Sequence, residues 1–270
     1  MMVDYEDNVV NMSVHGHAFV EPTLRVIGPV ADTGSAPFLA LASDNNKYWC
    51  KSPTSPHQVH AVVNEVAVGI IGRHMMAHVR PWAIIHVPDC LVGTRIRSKY
   101  DEYSLPTEVY GSQLLRHASL SYVEGNIPFI ADDDNSRHVP KIIALWLVCN
   151  AQYDVQILIE KANDNSIWSI DHGFWFDSME EPWQLAALQE PGGKLTIPRI
   201  HTPIPSDCWD EAIDSLDLLD DSLKDELWEV IPTSWPVMRS DCDALIDYAL
   251  GRKSYARQEL INLKQQTPRR

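Results

Sequence analysis

The spacing of apolar residues changes period several times along this chain, and each change marks an element. Ile142 to Cys149 (IIALWLVC) is almost continuously apolar, the pattern of a buried helix end, and a polar turn from Asn150 to Asp154 follows it. Val155 to Glu160 and Ile167 to Ile170 are short β-rich runs divided by an Asn-Asp-Asn turn, which predicts a hairpin. Asp171-His172-Gly173 comes directly after the second run.

Nearer the start, Leu24 to Ile27 reads as a strand and Ala31 to Pro37 (ADTGSAP) as a turn of small residues. Phe38 to Ala42 and Lys47 to Lys51 form a hairpin around Asp44-Asn45-Asn46, residues that tolerate left-handed backbone. Beyond Ser52 to Pro56, Val59, Val62, Val63, Val66 and Ile70 recur at helical spacing and predict a helix from about His57 to Met76, with Glu65 on the flank of the apolar stripe. Pro81 to Val87 and Cys90 to Ile96 read as further strands. The polar stretch Arg97 to Thr107 reads as the crossing between two lobes, with Tyr110 to Gln113 near the hinge.

The remainder predicts helices. A start at Ser206-Asp207 leads into an amphipathic run from Cys208 to Trp228 with an acidic outer face, and Asp241 to Leu263 forms a closing helix that turns basic at Arg252, Lys253 and Arg257. Prolines make 177–206 irregular. Residues 1–22 follow neither period and read as an extension, 23–105 as a first lobe, 106–265 as a second, and 266–270 as a frayed tail.

At 270 residues, 45% of them hydrophobic, the chain is long enough to bury a sizeable core. A formal net charge of −15 repels phosphate backbones and anionic lipid, so nucleic-acid or membrane-surface binding is not expected. The five cysteines are scattered without a Cys-x-x-Cys pair, which predicts reduced thiols and no zinc site or disulfide framework. With no basic, apolar leader at the start, a cytoplasmic location is expected, as a monomer or weak oligomer.

A strand, a small-residue turn, a strand ending in lysine and a helix carrying a glutamate make one half of a kinase-type site. A helix leading into a polar loop, a hairpin and an Asp-x-Gly turn make the other. Tyr48-Trp49-Cys50-Lys51, Asn64-Glu65, Tyr110-Gly111-Ser112, Leu147-Val148-Cys149-Asn150 and Ile170-Asp171-His172-Gly173-Phe174 with Phe176 occur in that order. Ile231-Pro232-Thr233-Ser234-Trp235 then precedes a final helix with Arg252. In this the chain, from about Leu24 to Arg257, resembles the HipA-like kinase domain family of bacteria.

The resemblance implies an α+β, bilobal protein kinase-like fold, with a small β-rich N-lobe and a larger, mainly helical C-lobe. It also implies ATP and Mg²⁺ as ligands and phosphoryl transfer to a serine or threonine of a protein substrate. Lys51 matches the phosphate-contacting lysine, Glu65 its helix partner, and Asp171 the metal-binding aspartate; Gly34 and Ser35 are the candidates for the turn over the nucleotide, where one glycine departs from the G-x-G-x-x-G of typical protein kinases. The catalytic loop departs from the family. Gln152 stands where the family has its catalytic aspartate, Gln156 in place of the second metal ligand, and Asn150 or Gln156 would complete the metal or loop geometry.

An amide cannot accept a hydroxyl proton at neutral pH, and general-base positioning is typically worth ~10²–10⁴ in rate. Asp154 is the candidate base, although it stands closer to Gln156 than the usual kinase loop spacing allows. The readings left open are an active kinase with a degenerate loop, a nucleotide-binding pseudokinase serving as an interaction module, and a small-molecule phosphotransferase.

Overall fold

The computed structural model describes residues 21–123, 126–151, 155–195, 197–198 and 200–266. Most of the expected extension, residues 1–20, lies outside the described residues, as do Gln152 and Asp154.

The first lobe is an antiparallel sheet of five strands in the order β1-β2-β3-β7-β4, from β1 (Leu24–Val30), β2 (Phe38–Ala42), β3 (Lys47–Lys51), β4 (Trp82–His86) and β7 (Glu108–Gln113). Its alternation fixes which side chains face where. Phe38 and Ala40 of β2 lie opposite Cys50 and Tyr48 of β3, all four buried in a small core with Ile85 and Val109. Trp49 and Lys51, one step out of phase, line a cleft on the other face.

Helix α1 (Gln58–His74) is buried along nearly its whole length, from His60 to Gly72. Its apolar residues run all round the helix because it is covered on both sides, by the sheet and by the helices of the second lobe. Glu65, expected on a flank, is therefore buried, at 2% exposure. Gly69 allows the close approach, since a Cβ there would stand 2.1 Å from the Trp82 indole nitrogen.

The lobe crossing does not fall over Arg97–Thr107. That stretch contributes to a hairpin of β5 (Arg95–Arg97) and β6 (Glu102–Ser104), stapled by Glu102 between Arg95 and Arg97. The chain then returns as β7 to the middle of the sheet and leaves it after Gln113. Polarity suggested a linker where the structure has a hairpin, because each short strand buries a single residue, Ile96 or Tyr103, between polar ones.

In the second lobe β8 (Ala118–Tyr122), β9 (Gln156–Glu160) and β10 (Ser166–Ile170) form a sheet in the order β10-β9-β8. The expected hairpin is β9–β10, in register from Ser166 opposite Glu160 to Ile170 opposite Gln156. Helix α2 (Asn135–Val148) is the apolar stretch that leads into the polar loop. The helix expected over Cys208–Trp228 is two, α3 (Ser206–Ser215) and α4 (Ser222–Val230), because Asp220 accepts hydrogen bonds from the backbone and hydroxyl of Ser222 and starts a new helix there. The closing helix is likewise divided into α5 (Arg239–Gly251) and α6 (Lys253–Gln266), with Arg252 at the break. Among the described residues no helix is long and apolar enough to cross a membrane.

Candidate active site

Three elements far apart in sequence bring one ammonium and two carboxylates together. Lys51 at the end of β3 places Nζ 2.5 Å from Glu65 Oε1 on α1 and 2.5 Å from Asp171 Oδ1, just beyond β10. Lys51 and Asp171 are 120 positions apart in the chain. Asp171 takes a left-handed backbone (φ 60°), a region that aspartate visits more readily than most residues, at the point where the strand must stop.

Glu65 is held from behind as well. The His172 backbone N–H donates to its Oε1 at 3.1 Å, and His172 Nδ1 stands 3.0 Å from its Oε2. On the other side of the ring, Nε2 stands 3.1 Å from the Ser169 hydroxyl. Ser169 in turn accepts from the Trp146 indole N–H at 3.2 Å. Burial alone would raise the Glu65 carboxyl, but the Lys51 ammonium and His172 outweigh it and hold the group at about 2. Burial would lower Lys51, and the carboxylates of Asp171 and Glu65 raise it well above the ordinary lysine range. Glu65 is thus a fixed anion whose work is to aim the lysine.

Asp171 is the exposed end of this network, its side chain 42% accessible to solvent. Its second oxygen accepts from Gln156 Nε2 at 2.9 Å. Both face a cleft of about 690 Å³ between the lobes, roofed by Gly34 and Ser35 and bounded toward the lobe crossing by Gln113, Leu114 and Leu115. Among the described residues no cluster of three or more His, Cys, Asp or Glu could hold a metal by itself. One exposed carboxylate, toward which Gln156 turns its amide nitrogen, suits a hard divalent cation that takes most of its oxygens from phosphates and water, and does not suit zinc.

A second set of bonds locks the segment after Asp171 onto α1. Asn64, fully buried beside Glu65, donates from Nδ2 toward the carbonyls of Gly173 (2.8 Å) and Trp175 (3.1 Å) and toward the Ser178 hydroxyl (3.2 Å). Its Oδ1 accepts from the Trp183 indole at 2.8 Å. With Glu65 bonded to the backbone of His172, successive residues of one helix fix successive parts of the Asp-x-Gly segment.

Most of the expected site residues therefore meet. Lys51, Glu65, Gly34, Ser35, Asp171 and Gln156 line the one cleft. Asn150, expected as a metal or loop ligand, does not. It has a left-handed backbone (φ 50°) immediately after α2, where the Ala151 N–H bonds back to the Trp146 carbonyl and closes the helix. Its side chain is fully buried on Arg252 Nη2, the Gly192 carbonyl and the Tyr248 hydroxyl, leaving nothing to offer a metal. The catalytic candidates Gln152 and Asp154 lie outside the described residues. Sequence patterns gave no role to His172 or Ser169, since neither shows a spacing that betrays a partner on α1 or α2.

No family model matches the sequence, and no curated protein matches it. Among solved structures, the chain is similar to the Helicobacter pylori proinflammatory kinase CtkA, with a TM-score of 0.53 at 12% identity over 89% of this chain and 98% of that one. It is also similar to the Golgi casein kinase with Mn/ADP bound, with a TM-score of 0.48 at 11% identity over 88% of this chain and 73% of that one. The first likeness, together with the two lobes and the cleft between them, establishes an α+β, bilobal kinase-like fold.

Proposed function

We propose that this chain is an ATP-dependent kinase of the HipA-like type, which grips Mg-ATP in the cleft between its lobes and transfers the γ-phosphate to a serine or threonine hydroxyl of a protein. The observation that carries this reading is the convergence of Lys51 on Glu65 and Asp171 at 2.5 Å each. An ammonium pinned by a buried carboxylate is a fixed counter-charge for phosphates. Asp171 and the Gln156 amide oxygen would hold the Mg²⁺, which when bound neutralises charge on the phosphates. The connector at Leu114 and Leu115 bounds the cleft at the end away from the catalytic elements, where an adenine would lie. Phosphoryl transfer is accelerated chiefly by positioning and charge neutralisation, so these residues supply the larger part of what the reaction needs.

A second reading, a nucleotide-binding pseudokinase, is favoured by one observation: Asn150 is committed to Arg252 and Tyr248 and is closed off from the cleft. Labelled Mg-ATP separates the two. The kinase reading expects phosphate incorporated into the chain itself or into proteins of a mixed lysate, lost in Lys51→Met and in Asp171→Ala. A Mg-ATP-dependent rise in Tm without incorporation assigns the pseudokinase role. Neither binding nor incorporation would overturn both readings.

A further inference from the structure

His57, at the start of α1, lines the same cleft as Gly34, Lys51 and Asp171. Its imidazole packs tilted on Phe174, the residue after the Asp-x-Gly turn, with ring centres 4.7 Å apart. A Cβ on Gly34 would stand only 2.9 Å from His57 Nε2, so the single glycine of the roof is the residue that leaves room for this ring. Phe174 is three residues past Asp171 and Gly34 belongs to the roof, so His57 stands between the roof and the Asp-x-Gly segment in the cleft that Lys51 lines. The ring is half-buried, and neither nitrogen has a hydrogen-bond partner among the described residues.

The backbone that presents this ring is strained: Gln58, the next residue, holds a left-handed φ of 59°. Such strain at a non-glycine residue persists only where the surroundings enforce it, and it clusters at ligand sites. The roof has one glycine in Ala31–Pro37, and Pro37 has no N–H. It therefore lacks the run of glycines that lets a loop close its backbone donors tightly over a triphosphate.

Building on the nucleotide reading above, we propose that His57 is a phosphate-binding residue, its imidazole N–H donating to the terminal phosphate of a nucleoside triphosphate and so favouring triphosphate over diphosphate. It supplies a side-chain donor from the helix side, opposite the roof, and Gly34 is small so that the ring can sit there. A half-buried N–H with no protein acceptor gains a charge-assisted bond when the phosphate arrives.

The test is calorimetric titration of the whole chain with Mg-ATP, Mg-ADP and adenosine. His57→Ala is expected to weaken ATP about tenfold, the scale of one such bond, while ADP and adenosine change less than about twofold. His57→Gln, which keeps an N–H donor, should recover part of the loss and also covers the case in which the alanine variant does not fold. Gly34→Ala should reproduce the selective loss by pushing the ring aside, and adding it to His57→Ala should cost nothing more. Equal affinities for ATP in wild type and His57→Ala would overturn the proposal, and so would a parallel loss for all three ligands, which would make the ring mere packing for Phe174. A wild-type chain that binds none of the ligands removes the nucleotide reading itself, an outcome distinct from either.

Discussion

Two buried polar networks, one around Lys51 and one around Arg252, differ in how they end. Around Lys51 the chain of contacts runs from the Trp146 indole through Ser169, His172 and Glu65 to an aspartate open to solvent. Around Arg252 everything closes. Its guanidinium donates to the carbonyls of Leu147 and Gly193 at 2.8 Å each, to Asn150 Oδ1 and to the Tyr248 hydroxyl. It also lies over the rings of Tyr248 and Tyr255, at 5.1 and 5.3 Å from their centres, and no carboxylate pairs with it among the described residues. A buried network with an exposed terminus presents charge to a ligand, whereas one whose members are all satisfied internally holds backbone together. By that criterion the Lys51 network is the one able to meet a ligand and the Arg252 network is structural, although both contain residues that the sequence placed in one site.

The sharpest way to break this comparison is Arg252→Ala. It orphans the carbonyls of Leu147 and Gly193 and the amide oxygen of Asn150 at once. At about 1–3 kcal/mol for each buried group left unpaired, the expected loss is on the order of 4 kcal/mol in urea unfolding. If the closed network is purely structural, the fraction that stays folded should still bind Mg-ATP with unchanged affinity. A variant of normal stability with lost ATP binding would reverse the assignment.

Lys51→Met should come next. It leaves the buried Glu65 without its cation and costs about 3 kcal/mol, while ATP binding disappears. Lys51→Met with Glu65→Gln should regain part of that stability and none of the binding, because the amide removes the unpaired charge but supplies no ammonium. Additive losses in the double variant would mean that the 2.5 Å contact is not energetically coupled.

This contrast also explains what could be read from the chain beforehand. Lys51, Glu65 and Asp171 announce themselves by local context, a strand end, a helix flank and a strand-to-turn junction, and a kinase-like order of elements connects them. Asn150 has a context just as suggestive, directly after the apolar α2, but its true partner is 102 positions later at a helix break that the sequence pattern runs straight through. Arg252 appeared as one of three basic residues on a closing helix and as part of the family resemblance, and neither context names the carbonyls it bonds. Asn64 shows the same limit from the other side: its neighbour Glu65 was identified by role, while its own bonds go to Gly173, Trp175 and Trp183, more than 100 positions away in a segment without a helical or strand period. Period and motif report what a residue does to its near neighbours. They do not report which distant carbonyl needs a donor.

The pH dependence tests the same distinction at smaller scale. Glu65 has its carboxyl depressed from 4.5 to about 2, so its contribution to stability is full above the unfolded-state value and is lost as pH falls toward the folded one. Unfolding free energy should therefore decline between about pH 4.5 and pH 2, and the part of the decline due to this residue should be missing in Glu65→Gln. Arg252→Lys should leave that slope untouched, since no carboxylate takes part in its network. A slope that persists unchanged in Glu65→Gln would remove the buried anion from the account.

The smallest expected effect lies at the open end. Gln156→Glu keeps the side-chain length but turns the donor at 2.9 Å from Asp171 into a second carboxylate. Without a metal the two anions repel across a solvated gap, and the loss of stability should stay below about 1 kcal/mol, as for other exposed charge pairs. With Mg²⁺ or Mn²⁺ present the same pair is a better oxygen site than Asp171 with an amide, so the rise in Tm on adding the metal with ATP should exceed that of the wild type. The sign of that difference decides the matter. If the variant responds less to metal than the wild type, Gln156 is orienting Asp171 toward Lys51 instead of sharing an ion with it, and the amide in this position is a positioning residue within the ammonium network.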